Sequence, residues 1–122
     1  MQKFRFLEWQ VYKDSQKLLT LVLKIVHQLP KEYRYELGSQ IIRSAFSVVL
    51  NIAEGSGKIS DKELNRYFDI ALGSTYETLA ALDSLRENQL ITENDYEVVF
   101  KKLESITNQI GGFKRKIKLA NR

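Results

Sequence analysis

With 122 residues, 43% of them hydrophobic, the chain is long enough to bury about two-thirds of its unfolded surface in one core without covalent staples. It contains no cysteine, which excludes a disulfide-built fold and thiolate metal sites. Its net charge of +4 is unevenly spread: residues 1–34 carry +4, 35–57 carry −1, 58–97 carry −5 and 98–122 carry +6, so two basic ends flank an acidic third quarter.

The opening stretch Met1-Gln2-Lys3-Phe4-Arg5 runs into Glu8 and Gln10 without a signal-type apolar core. No apolar run approaches the roughly 20 residues of a spanning helix. A cytoplasmic protein with no membrane partner is expected. Punctuation is sparse: one proline, Pro30, and glycines at 38, 55, 57, 73, 111 and 112. Breaks near 30–35, 55–59 and 89–92 predict one domain over 1–122, with helices of about 7–29, 35–54, 61–88 and 93–119.

The first helix places Val11, Ser15, Leu18, Val22, Ile25 and Leu29 at helical spacing, with Tyr12, Leu19 and Val26 beside them, and Pro30 ends it. The second puts Leu37, Ile41, Ala45, Val48, Val49 and Ile52 on one face, and Gly55 is read as a left-handed C-terminal cap. The third opens on Ser60-Asp61-Lys62-Glu63, a capping box in which serine and glutamate bond reciprocally, and continues with Leu64, Tyr67, Phe68, Ala71, Thr75, Leu79, Leu82 and Leu85. A weaker box, Thr92 to Asp95, starts the fourth, whose Tyr96, Val99, Leu103, Ile106, Ile110, Phe113 and Ile117 step by threes and fours. Gly111-Gly112 is read as local fraying or a close helix contact. The fold class is all-α, an antiparallel up-and-down four-helix bundle.

Bundles build metal sites from inward carboxylates and Glu-x-x-His pairs, but the single histidine, His27, has Lys24 at the glutamate position and is read as a surface or boundary residue. Gly55-Ser56-Gly57-Lys58 lacks phosphate-loop spacing and follows a helix. No catalytic residue, metal or cofactor is expected. On the first helix Gln10, Lys13, Lys17, Lys24, Gln28 and Lys31 share an arc of about 60° opposite the apolar stripe, with Asp14 at its margin. On the fourth, Lys101, Ser105, Asn108, Arg115 and Lys116 face outward. Such rows suit phosphates, a solvated surface, or the outward Asp69, Asp83 and Glu87 of another subunit's third helix. Lys3-Phe4-Arg5-Phe6 and Tyr33-Arg34-Tyr35 interleave rings with cations as single-strand binders do, although such rings more often anchor a loop to the core, the preferred reading. Trp9, about 140° from the centre of the apolar stripe, is read as an exposed partner surface. On the second helix Glu36, Gln40, Arg43, Ser47, Asn51 and Glu54 form one polar stripe, either solvated or bonded across a helix interface.

The run from Gln40 to Gly55, ending Asn51-Ile52-Ala53-Glu54-Gly55, resembles the signature of the four-helix-bundle proteins encoded in intervening sequences of bacterial large-subunit ribosomal RNA genes. Trp9-Gln10, Leu29-Pro30, Ser60, Glu63, Tyr67-Phe68, Ala71, Gly73-Ser74 and Glu77 agree in order with that family. The chain departs from its pattern at Ile42, where a second arginine is usual, and at Val49-Leu50, where a Pro-Ser pair often interrupts the helix. Losing that arginine weakens a carry-over of phosphate binding to the second helix. The resemblance implies a bundle that assembles as a ring, often a homopentamer, and binds nucleic acid. A related branch, the accessory proteins of diversity-generating retroelements, adds a reverse transcriptase and RNA as partners.

The resemblance also favours an intra- or intersubunit network at Arg43, Ser47, Asn51 and Glu54, with Gly73-Ser74 at a close helix approach. The expected function is a non-enzymatic, homo-oligomeric accessory protein that binds RNA or DNA through Lys13, Lys17, Lys24, Lys101, Arg115 and Lys116 and assists a reverse transcriptase or ribosomal RNA. The rival is a structural module whose ring binds only protein.

Overall fold

The structure, a computed structural model, describes residues 3–120; Met1 and Gln2, from the stretch read for a signal sequence, lie outside them, as do Asn121 and Arg122. A 3-10 turn at Arg5–Glu8 leads into α1 (Gln10–Gln28), the single turn α2 (Lys31–Arg34), α3 (Glu36–Ser56), α4 (Asp61–Glu87) and α5 (Glu93–Ala120). The described residues contain no strand, and the architecture is an all-α helix bundle. None of these helices is long and apolar enough to cross a membrane.

The long helices pack in the cyclic order α1, α3, α4, α5 and back to α1. Gly55 lies against Tyr67, Ser47 bonds Ser74 and Ser44 bonds Thr78, so numbering rises along α3 as it falls along α4. Trp9 against Phe113 and Asp14 against Gln109 give the same antiparallel sense to α1 and α5. Every residue of the first predicted stripe, from Val11 to Leu29, is buried, and Phe68, Leu82, Ile106 and Ile110 meet it in the core. At the N-termini, Ser60 Oγ accepts from the Glu63 N–H and Thr92 Oγ1 from the Asp95 N–H.

Several local expectations change. Helix α1 begins at Gln10, because Trp9 is extended (φ −74°, ψ 132°) and its ring folds over the bundle end. Leu37 is exposed and Gly38 buried: a Cβ at 38 would stand 2.6 Å from Val26 Cγ1, so the missing side chain brings α1 and α3 together there. Gly55 is not a left-handed cap; the described glycines all have negative φ, and α3 runs on to Ser56. Its role is space, since a Cβ there would lie 2.8 Å from Tyr67 Cβ. The glutamate of the Ser60 box turns away from the backbone to Arg66, 3.0 Å away, where it gains a charge-assisted bond. Helix α5 continues through Gly111 and Gly112 without interruption.

Candidate nucleic-acid interface

The α1–α5 seam is organised around Asp14, 6% exposed among core side chains. A carboxylate there loses hydration, so it persists only if other groups answer its charge. Lys102 Nζ donates to Oδ1 at 3.2 Å, Gln109 Nε2 to Oδ2 at 2.7 Å, and Gln10 Nε2 to Oδ1 at 3.2 Å. Burial pushes its pKa up, but the hydrogen bonds from Gln109 and Lys102, the Lys102 charge and the Gln10 bond together hold it below its ordinary value. The helical angle alone sets Asp14 at the margin of the basic arc. The signal that places it inside is its position three residues after Val11 and four before Leu18, both stripe residues.

With Lys102 drawn inward, the outer cations remain. Lys13, Lys17, Lys24, Lys101, Arg115 and Lys116 are all exposed. Of these, Lys13 stands 4.0 Å from Glu8, and the other five make no ion pair among the described residues. The inward cations, in contrast, are paired: Lys102 with Asp14, Lys114 with Asp69, and Arg86 with Asp83 and Glu93. Lys24 borders a groove of about 300 Å³ between α1 and α5 with Gln28, Asn94, Val98 and one carboxylate, Asp95, which is not within ion-pair distance of it. Arg115 lies apart from that groove, on the α4 side beside Asn65 and Lys118. Its guanidinium folds back along α5, 3.6 Å and 3.9 Å from where Cβ atoms on Gly111 and Gly112 would sit.

The polar stripe of α3 divides. Ser47 and Ser74 share a hydroxyl bond of 2.8 Å, and Asn51 Nδ2 donates to the Ser47 carbonyl at 2.8 Å and to its hydroxyl at 3.0 Å. Deeper in the same seam, Thr78 donates to Ser44 at 2.8 Å. Glu54 turns to Lys58, 3.9 Å away. Arg43 is exposed and has no hydrogen bond or ion pair among the described residues, and Gly73 has no atom within 4 Å of its Cβ position. Ser47, Asn51 and Ser74 are thus knit together inside the chain, whereas Arg43 and Gly73 face outward unmatched.

The ring-and-cation motifs also divide. Phe6 meets Tyr12 edge-to-face at 4.8 Å and anchors the N-terminal turn, but Phe4, Tyr33 and Tyr35 are exposed. Trp9 is no free partner surface: it stacks among Phe113 at 5.0 Å and Phe68 at 6.3 Å, with the Arg5 guanidinium 5.3 Å from its ring. Its angle on a helical wheel misled because Trp9 precedes the helix. His27 is exposed, and the described residues hold no cluster of three or more metal-ligating side chains.

The sequence model of a family described as 23S rRNA-intervening sequence protein matches residues 8–112. No curated protein sequence matches the chain. Among solved structures, a protein of unknown function from the S23 ribosomal protein family of Bacteroides thetaiotaomicron superposes with a TM-score of 0.77 at 24% identity, over 82% of this chain and 94% of that one. At that identity the likeness is one of fold.

Proposed function

The chain belongs to the 23S rRNA-intervening sequence protein family, a non-catalytic one, and from that premise we propose that it is a homo-oligomeric accessory protein binding RNA or DNA through its basic outer faces. The observation that supports this is the division of the cations: those facing neighbouring helices are paired, while Lys17, Lys24, Lys101, Arg115 and Lys116 are exposed and form no ion pair among the described residues. Ammonium and guanidinium groups so placed read phosphate and shape, and they gain free energy from released counterions with little base specificity.

Self-association is assigned to the α3–α4 face, where Arg43 and Gly73 are unmatched and Phe46, Leu50 and Ile70 are exposed. Ribosomal RNA or a reverse transcriptase with its RNA is the natural client of such an assembly. The rival, a protein-only ring held by basic-to-acidic contacts, has less support because two of its three outward acids, Asp69 and Asp83, are already held by Lys114 and Arg86, which leaves Glu87 alone exposed and unpaired among them.

A fluorescence-anisotropy titration of labelled RNA and DNA at several salt concentrations tests the proposal. Affinity is expected to fall as salt rises, and each phosphate contact removed by Lys17→Ala, Lys24→Ala, Lys101→Ala or Lys116→Ala should flatten the log–log slope by roughly 0.7–0.9. Absence of binding near physiological salt, or salt-independent binding, overturns it.

A further inference from the structure

Where α1 turns through α2 into α3, the surface opens into a groove of about 570 Å³, which the basic row of α1 reaches only at its last member, Lys31. His27, Lys31, Arg34 and Tyr35 border it, with buried Val26 and half-buried Ile42 among its apolar lining. Tyr35 is 83% exposed and makes no ring contact among the described residues. Leaving an aromatic face in water forgoes burial that a ring normally seeks, so nothing in this chain's own packing accounts for the residue.

Its backbone is nonetheless fixed. Tyr35 has helical angles (φ −74°, ψ −51°) between α2 and α3, and its carbonyl accepts from the Ser39 N–H at 3.3 Å. Arg34 is fixed as well, donating from Nη2 to the Leu29 carbonyl at 3.1 Å. Lys31 stands three residues before Arg34, on the same side of the α2 turn. No carboxylate lines the groove; Glu32 and Glu36, though close in sequence, lie outside it.

An exposed ring on an ordered backbone, beside cations and an apolar lining, suits a flat apolar ligand attached to an anion. We infer that this groove receives an unpaired base of single-stranded nucleic acid, stacked on Tyr35 with its phosphate near Lys31 and Arg34. This deepens the nucleic-acid reading above and rests on it. The basic rows would hold either form of nucleic acid, whereas a duplex keeps its bases stacked inside and leaves the groove empty.

The test compares labelled oligouridylate and oligothymidylate with duplexes of matched length on the whole chain, by anisotropy. Wild type is expected to bind the single strands more tightly, and Tyr35→Ala to weaken that binding by about fivefold to a hundredfold, the usual effect of losing one stacked base, with duplex affinity unchanged. Tyr35→Phe should retain the preference. Single-strand affinity unchanged in Tyr35→Ala overturns the inference and leaves the proposed function standing, whereas a wild type that binds no nucleic acid overturns both. Equal loss of duplex and single-strand binding, or a changed mass by light scattering, also overturns it, by assigning the groove to folding or self-association.

Discussion

A carboxylate among core side chains stands or falls with its partners, and Asp14 has three: Lys102, Gln109 and Gln10. Asp14→Ala leaves Lys102 without its acceptor and Gln109 with Ser105 alone, and is expected to cost about 1–3 kcal/mol at neutral pH, read by urea unfolding. Because the folded pKa lies below the ordinary carboxylate value of about 3.9, the unfolded chain takes up protons first as pH falls. The contribution of Asp14 is therefore complete above about pH 4 and lost as the pH drops through the folded value. The gap between wild type and Asp14→Ala should narrow in acid; a gap constant from neutral pH to pH 3 would sink the charge argument. Glycines give a second residue-scale contrast. A methyl at Gly55 meets Tyr67 Cβ at 2.8 Å, an atom bound to the backbone and unable to rotate away, so Gly55→Ala should destabilise by about 1–3 kcal/mol. Within the single chain Gly73→Ala fills open space on a helix and should stabilise by about 0.5–1 kcal/mol, read in the same unfolding series at concentrations dilute enough to keep the chain monomeric.

Helices announce themselves through spacing, which is why the α1 stripe and the Ser60 and Thr92 caps are legible in the sequence alone. What spacing misses is the identity of a neighbour. Gly55 has two physical uses, a left-handed turn and a close approach, and only the Tyr67 side chain decides between them. Glu63 likewise had two acceptable donors, and Arg66 took it. The end of α4 shows the reverse, a cap without its expected glycine. Leu90 N–H donates to the Leu85 carbonyl and Gln89 N–H to the Arg86 carbonyl, each at 2.9 Å, a Schellman motif that places Gln89 at φ 55°. A side chain in that left-handed region is strained. Gln89→Gly should therefore raise stability by about 1 kcal/mol, visible as a higher urea midpoint at unchanged m.

At the scale of the whole molecule, the basic rows could be named from sequence because outward positions follow from the apolar stripe. Which cations were already held by a neighbouring carboxylate could not, since Lys102 and Lys101 are adjacent in sequence and opposite in circumstance. The proposed assembly is harder to read for a deeper reason: a surface that meets a second copy shows its complement only when that copy is present. Its mark within one chain is a residue whose cost has no local return, and Gly73, exposed in the middle of α4, is such a residue. Open space around its Cβ position means that Gly73→Arg leaves the bundle intact, with circular dichroism unchanged. If a second copy closes over the α3–α4 face, that arginine collides with it. Light scattering should then report a wild type well above the 14.2 kDa chain mass and a variant shifted toward it. A wild type at 14.2 kDa removes the oligomer altogether, and a folded Gly73→Arg protein of unchanged mass moves the interface to another face.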